Sequence, residues 1–160
     1  MSSLSLIYKT GDILKATENI ICHQVNVQGV MGGGLALQIA RTYPEVKRKY
    51  EKLCYDFQYH YERLKGKSYS VKINEKQVIC NCFTQKPNFD TDYNAIKYCF
   101  KKILKECRQN NKTIAVPYKY GSGIANGNWE EIETILKVLS GIYGVDINIY
   151  KLEEKNERIK

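Results

Sequence analysis

Apolar residues recur along the chain with two different periods, and each change of period marks a change of secondary structure. Short apolar or alternating runs predict strands, whereas apolar residues three and four positions apart predict helices. Strands are predicted at 4–9, 19–25, 68–73, 77–84, 113–116 and 146–150. Helices are predicted from Gly33 to the residue before Pro44 and at 45–57, 92–109 and 128–139, and the polar stretch 59–67 is predicted to be a loop.

The predicted strands alternate with helices, except that 68–73 and 77–84 follow each other and predict a hairpin. This order favours an α/β fold, a three-layer α/β/α sandwich with a mixed, mostly parallel central sheet. The sequence has 160 residues, with no internal repeat or linker. We therefore expect a single domain at 1–152, followed by a mobile charged tail at 153–160.

The composition is that of an ordinary globular protein, with 43% hydrophobic and 26% charged residues. No apolar run approaches membrane-spanning length, and the first residues do not resemble a signal peptide, so we expect a cytoplasmic protein without a membrane partner. We also expect a monomer. The six cysteines form no CxxC pair and there are only two histidines, so no zinc-binding spacing is present. The cysteines are predicted to be reduced, buried thiols, and we expect neither a metal nor a cofactor.

The net charge of +8 is compatible with a polyanionic partner such as nucleic acid or a nucleotide. The lysines are scattered over several segments, however, which favours a solvated surface for most of them. One small anionic ligand needs only a few of these charges. A nucleic-acid partner stays open at this point, resting on charge alone.

Two glycine-rich segments directly follow apolar strands: GVMGGG at 29–34 and GSGIANG at 121–127. Glycine permits positive φ and close approach of the backbone, and a helix N-terminus favours an anion. Ligands of α/β sheets bind at the carboxyl ends of the strands, so we expect both segments to grip one phosphate-bearing ligand. Neither segment matches the GxxxxGK[ST] loop of ATPases or the GxGxxG fingerprint of nicotinamide-dependent dehydrogenases, which argues against both classes.

Two polar residues beside these strands each have two interpretations. Asp12 follows the first strand, and its carboxylate either caps a local turn or accepts from an exocyclic amine such as that of adenine. His23 precedes Asn26 by three residues. It is either a strand residue with a protein partner, or a group that donates a proton to a leaving oxygen or positions a water.

Three segments resemble the macro domain family, the ADP-ribose-binding module: TGDIL at 10–14, HQVNVQGVMGGGLA at 23–36 and VPYKYGSGIANGNWEEI at 116–132. The resemblance extends over nearly the whole chain. It is greatest to a small branch that contains ADP-ribose 1''-phosphate phosphatases and ADP-ribosyl-glutamate hydrolases, which the ending INIYKL at 147–152 also resembles.

The resemblance implies a role for each matching position. Asp12 would accept from the adenine amine, with the Ile13 N–H nearby and Leu152 at the border of the adenine slot, and Asn26 would hold the distal ribose. The side of the distal ribose and phosphate would be lined by Gly32, Gly33, Gly34 and Ala36. The loop that begins at Gly121 would bind the pyrophosphate through the N–H groups of Ser122, Gly123, Ile124 and Ala125.

The chain departs from the glutamate hydrolases at two positions. Those enzymes use a lysine where this chain has Gln85, and an acid where it has Ala125. Lys86 is adjacent, but a shift of one residue along a strand turns the side chain to the other face. Because glutamine and alanine cannot serve as amine nucleophile and proton shuttle, the departures argue against hydrolysis by that mechanism.

The sequence therefore favours a protein that binds ADP-ribose and dephosphorylates ADP-ribose 1''-phosphate, with His23 and Asn26 as its catalytic residues. Two alternatives stay open. One is a non-catalytic ADP-ribose-binding module, and the other is a hydrolase that removes ADP-ribose from a modified protein or nucleic acid.

Overall fold

The computed structural model describes residues 6–123 and 125–153. Its six strands are β1 Leu6–Thr10, β2 Ile20–Val25, β3 Ser68–Lys72, β4 Val78–Phe83, β5 Ile114–Pro117 and β6 Ile147–Lys151. Its helices are α1 Gly34–Thr42, α2 Pro44–Asp56, α3 Tyr61–Leu64, α4 Tyr93–Asn110 and α5 Trp129–Tyr143, with a short 3-10 turn at Ile13–Lys15.

The strands form one mixed sheet in the order β1-β6-β5-β2-β4-β3. All neighbouring pairs are parallel except β3 and β4, which form the predicted hairpin. The five parallel strands therefore end at the same edge of the sheet. This confirms the predicted α/β fold with a mostly parallel sheet.

Two apolar clusters cover the two faces of the sheet, as the alternation of side chains along a strand requires. One cluster packs α4 and α5 on one face, through residues such as Phe100, Ile132 and Leu136. The other packs α1, α2 and α3 on the opposite face, through Ile39, Val46 and Leu64. The chain is thus a three-layer sandwich, and the loops at the strand ends are held between two packed layers.

The helix boundaries follow local capping. Asp92 accepts from the Ala95 N–H at the start of α4, and Asn128 accepts from the Glu131 N–H at the start of α5, as predicted for Asn128. Asn111 ends α4 in the left-handed conformation. Gly144 ends α5 in the same way, with φ of 67°.

Two boundary predictions were wrong. The stretch 59–67 is not wholly a loop, because Tyr61–Leu64 forms α3, whose Tyr61 and Leu64 side chains are buried. Helix α5 was expected to end near Leu139 but continues to Tyr143, because the residue in the left-handed conformation that ends it is Gly144 and not Gly141. The first two residues of the predicted first strand and the tail from 154 onward lie outside the described residues.

All six cysteines are free and buried, as predicted. Across 6–123 and 125–153, no helix is long and apolar enough to cross a membrane.

Candidate ligand site at the carboxyl edge of the sheet

The residues predicted to bind a ligand follow four parallel strands at one edge of the sheet. Asp12 follows β1, the first glycine-rich loop follows β2, the second follows β5, and Leu152 follows β6. The Gly11 N–H donates to the Lys151 carbonyl at 2.9 Å, which joins the ends of β1 and β6. The topology therefore brings the predicted site segments to a common edge.

The first glycine-rich loop is folded around the side chain of Asn26. Its Oδ1 accepts from the Tyr50 hydroxyl at 2.6 Å and from the Gln28 N–H at 3.0 Å, and its Nδ2 donates to the Val30 carbonyl at 3.0 Å. The side chain of Met31 is buried in the core beneath the loop. Asn26 thus organises the loop predicted to hold the distal ribose.

The first loop ends at the N-terminus of α1. Gly33 occupies the N-cap position and offers no side-chain cap, and Gly34 follows with φ of 54°. The dipole of α1 and its first N–H groups therefore point toward the loop without a capping side chain, which favours an anion at this point. Ala36 lies in the first turn of this helix.

The second glycine-rich loop is a compact turn. Gly121 has φ of 74°, and its carbonyl accepts from the Gly127 N–H at 2.9 Å. The Ser122 N–H, predicted to bind pyrophosphate, donates to the Lys119 carbonyl at 2.9 Å. No hydrogen bond from the N–H groups of Gly123 and Ala125 is found within the described part of the chain, and Ile124, the other predicted contact, lies outside it. The amides at 123 and 125 therefore have no hydrogen-bond partner among the described residues, and their binding to an anion stays a prediction.

Thr91 fastens the second loop to the segment that follows β4. Its N–H donates to the Ala125 carbonyl at 3.1 Å, and its hydroxyl donates to the Gly121 carbonyl. The Gln24 Nε2 donates in turn to the Thr91 hydroxyl at 3.2 Å. Both ends of the second loop are therefore held by one threonine.

A buried polar network continues from Gln24 into the sheet. The Thr84 hydroxyl donates to Gln24 Oε1 at 2.7 Å and lies 2.6 Å from the Tyr120 hydroxyl, whose ring packs edge-on against Phe100. No role was predicted for Gln24, Thr84 or Thr91. The only sequence feature that could have indicated them is that uncharged polar residues follow the apolar parts of β2 and β4. Ordinary loops show the same pattern, so it does not identify a site.

His23 lies within β2, buried beside Asn81 of β4. Its Nε2 is 2.6 Å from Asn81 Oδ1, and because an amide oxygen only accepts, this contact places the proton on Nε2. Burial lowers the pKa of His23 to about 4, so the ring is neutral at pH 7. Within the described residues, the buried Nδ1 has no hydrogen-bond partner, which leaves it as an acceptor.

The residues predicted for adenine lie where β1 and β6 end. Asp12 accepts from the Leu14 N–H at 3.0 Å and so caps the 3-10 turn, in agreement with its local interpretation. A carboxylate can accept several hydrogen bonds, so capping is compatible with the second interpretation. Ile13 is buried beneath the turn, and Leu152 is partly exposed.

Gln85 and Ala125, where the chain departs from the glutamate hydrolases, are both joined to Thr91. Gln85 pairs with Thr91 in an isolated antiparallel bridge, and Thr91 bonds to Ala125 as described above. The Gln85 Nε2 donates to the Phe89 carbonyl at 2.9 Å, so the side chain is held by its own loop. An open cavity of about 400 Å³ lies between α3 and this loop, with Lys65, Lys86 and Asn88 among the residues that line it.

Three thiols lie together away from this edge. The sulfurs of Cys22, Cys80 and Cys82 are within 4.8 Å of one another on the face covered by α4 and α5. Burial raises the pKa of the Cys22 and Cys82 thiols, whereas the hydrogen bonds with these two thiols lower the pKa of Cys80. All three side chains are buried in the apolar cluster beneath α4 and α5. This agrees with the prediction that they pack as small apolar side chains.

Comparison with known proteins identifies relatives over most of the chain. The family model of the Macro domain matches residues 22–136. The DNA ADP-ribosyl glycohydrolase of Mycobacterium tuberculosis is 31% identical over 155 residues, covering 91% of this chain and 42% of that protein. The ADP-ribose 1''-phosphate phosphatase of Lodderomyces elongisporus is 28% identical over 148 residues, covering 84% of this chain and 87% of that protein.

A solved structure shows the same fold. The macrodomain of Mycobacterium tuberculosis DarG superposes with a TM-score of 0.76 at 30% identity, covering 92% of this chain and 98% of the solved one. The chain spans less than half of the full length of the mycobacterial glycohydrolase. The family match, the identity and the shared architecture agree, and this chain belongs to the Macro domain family.

Proposed function

We propose that this protein binds ADP-ribose at the carboxyl edge of its sheet and removes the phosphate from ADP-ribose 1''-phosphate. The observation that carries the proposal is the pair of glycine-rich loops: the uncapped N-terminus of α1 closes one, and Thr91 fastens the other. The amides of Gly123 and Ala125 would bind the pyrophosphate, and the N-terminus of α1 would face the distal phosphate. The relative named as an ADP-ribose 1''-phosphate phosphatase supports the choice of substrate.

The protonation state of His23 decides between the two roles considered for it. A ring that is neutral at pH 7, with its Nε2 proton held by Asn81, is a poor proton donor but keeps the Nδ1 lone pair as an acceptor. We therefore assign His23 to hold a water near the distal ribose rather than to protonate the leaving oxygen. Asn26 would shape the loop around the ribose, and Asp12, Ile13 and Leu152 would border the adenine.

A phosphate-release assay with ADP-ribose 1''-phosphate tests the proposal, with ADP-ribose titration by calorimetry beside it. We expect release by the wild type, a loss of about 100-fold in His23→Ala and in His23→Gln, and full activity in His60→Ala, which changes the other histidine. ADP-ribose binding without phosphate release would favour the non-catalytic module. Full activity of both His23 variants would remove the histidine from the mechanism.

A second candidate function is removal of ADP-ribose from a modified nucleic acid. The specific observation that favours it is the likeness to the mycobacterial DNA ADP-ribosyl glycohydrolase, at 31% identity across 91% of this chain. Since Gln85 and Ala125 cannot provide the amine and acid of the glutamate hydrolases, another group would have to perform the chemistry. Release of ADP-ribose from a modified oligonucleotide by the wild type, with no release from a modified glutamate peptide, would support this function.

A further inference from the structure

Helix α4 has an exposed face that carries positive charge along its length. Lys97, Lys101 and Lys105 repeat at intervals of four residues, and Lys102 lies beside them. All four are exposed, while the opposite side of the helix is buried in the core. Glu106 is the helix's single acidic residue. The outer face of α4 is therefore a basic strip about 12 Å long from residue 97 to 105, at about 1.5 Å per residue.

Helices α2 and α4 both carry several basic residues, but the two helices differ in their ion pairs. In α2, Lys47, Arg48, Lys49 and Lys52 all form ion pairs with acids of the same helix. Among 6–123 and 125–153, the four lysines of α4 form no ion pair with an acid. The positive potential of α2 is thus largely neutralised locally, whereas that of α4 faces the solvent.

An aromatic ring lies within the basic strip. Tyr98 is half exposed, and the Lys102 Nζ lies 4.6 Å from its ring centroid. The ring packs against Gly66, where an added side chain would come within 2.7 Å of it. The pKa of Tyr98 is lowered by the hydrogen bond and charge of Lys102 and by the charge of Lys67, which adds a further cation to the strip. Because the Lys102 ammonium lies over this ring, a base stacks on Tyr98 by taking the place of the ammonium.

The strip begins next to the candidate site. Helix α4 follows directly after Thr91, the residue that fastens the second glycine-rich loop. The first turn of α5, which follows that same loop, carries Glu130 and Glu131 instead. The lysines of α4 thus begin about one turn after its N-cap, Asp92, whereas the first turn of α5 is acidic.

We propose that the outer face of α4, formed by Lys97, Tyr98, Lys101, Lys102 and Lys105 with Lys67 beside it, binds the phosphodiester backbone of a single-stranded nucleic acid. Backbone phosphates contact the lysines and an unpaired base stacks on Tyr98. This surface would hold the nucleic acid substrate of the second candidate function. The inference rests on the proposed function in one respect, because the modified nucleotide would have to reach the ADP-ribose site. Charge complementarity and the exposed ring favour nucleic acid over an acidic protein, which offers no bases to stack.

The test is the affinity for a labelled, unmodified 12-nucleotide single strand of DNA, measured by fluorescence anisotropy between 50 and 200 mM salt. We expect Lys101→Gln/Lys105→Gln to weaken binding about tenfold and to reduce the slope of log K against log salt by about 1.4, because each phosphate contact to a single strand contributes about 0.7. The matched control Lys47→Gln/Lys52→Gln removes the same charge from α2, and we expect it to change the affinity less than about twofold.

The stacking contact is tested by Tyr98→Ala against Tyr55→Ala, an exposed tyrosine of α2. We expect about a tenfold loss for the first and none for the second. Three outcomes would overturn the proposal. They are equal losses of affinity for the α4 and α2 variants, no binding of the DNA by the wild type at 50 mM salt, and competition by polyglutamate of matched charge that is as strong as competition by unlabelled DNA. Calorimetry with ADP-ribose on the same proteins separates nucleic-acid binding by α4 from ADP-ribose binding at the sheet edge. We expect the α4 variants to bind ADP-ribose as tightly as the wild type. A wild type that does not bind ADP-ribose would contradict only the proposed function.

Discussion

The backbone N–H of Thr91 donates to the carbonyl of Ala125 at 3.1 Å, and this bond joins the segment after β4 to the second glycine-rich loop. The Thr91 hydroxyl holds the other end of the same loop at Gly121. A loop held at both ends keeps its amides in position before a ligand arrives, which lowers the entropic cost of binding.

Replacing Thr91 by valine should weaken ADP-ribose binding. Valine keeps the shape and the backbone bond but removes the hydroxyl that serves Gly121 and Gln24, at about 1 kcal/mol for each hydrogen bond lost. We expect about a tenfold higher dissociation constant by calorimetry, with an unchanged circular dichroism spectrum. Thr134→Val, which removes an exposed hydroxyl bonded within α5, is the control and should bind normally. Normal binding by Thr91→Val would mean that the hydroxyl does not position the loop.

Tyr50→Phe should loosen the first loop. The Tyr50 hydroxyl donates to Asn26, at 2.8 Å from its carbonyl and 2.6 Å from its Oδ1, and its ring stacks on Phe83. Removing only the oxygen should cost about 1 kcal/mol in the free energy of unfolding and weaken ADP-ribose binding about fivefold. Tyr55→Phe changes an exposed tyrosine of the same helix and should do neither. Urea unfolding and calorimetry measure both effects.

Stability should fall in acid because of His23. Its pKa is about 4 when folded and about 6.5 when unfolded, so the unfolded state binds the proton more tightly. The contribution of neutral His23 is therefore complete above pH 6.5 and is lost as the pH falls toward 4, by about 2 kcal/mol at pH 5. Urea unfolding at pH 7.5 and 5 measures this loss.

The two histidines provide the control for that measurement. His60→Gln should retain the acid sensitivity, and the double variant His23→Leu/Asn81→Leu, which removes both partners of the buried bond, should lose most of it. The same acid sensitivity in the double variant would assign it to the carboxylates instead.

Replacement by alanine should be harmful at Gly127 and beneficial at Gly141. A side chain at Gly127 would lie 2.3 Å from the Gly121 carbonyl oxygen, so Gly127→Ala must distort the second loop and should weaken ADP-ribose binding at least about tenfold. A side chain at Gly141 of α5 meets nothing within 4 Å, and Gly141→Ala should stabilise the helix by about 0.5–1 kcal/mol. Thermal unfolding and calorimetry on both variants test the pair, and tight binding by Gly127→Ala would show that the loop adapts.

The fold class could be predicted from the sequence because the period of the hydrophobic residues depends directly on which face of each strand or helix is buried. The short apolar runs predicted the strands and a mostly parallel sheet, and capping chemistry predicted the helix start at Asn128. The order of the strands in the sheet was not predicted and comes from the structure. The end of α5 was placed too early because Gly141 resembles a stop, whereas only Gly144 adopts the left-handed conformation that ends the helix. Helix α3 was missed because four residues show too little periodicity.

The site was predictable in its segments but not in its internal bonds. Glycine clusters after strands indicate loops that bind anions, and these loops lie where they were expected. The bonds that shape them join residues far apart in the chain, such as Thr84 to Gln24 and Tyr50 to Asn26. No local pattern carries that information. The predicted roles of Asp12, His23, Asn26 and Leu152 toward a ligand stay predictions until binding is measured.

The burial of all six thiols gives the protein internal reporters of its own opening. Cys54 lies in the layer of α1 and α2, and the other five lie between the sheet and the layer of α4 and α5. A thiol-specific reagent can reach either set only when the corresponding layer separates from the sheet. The order in which cysteines are alkylated under native conditions therefore records which side of the sandwich opens first, without any engineered cysteine.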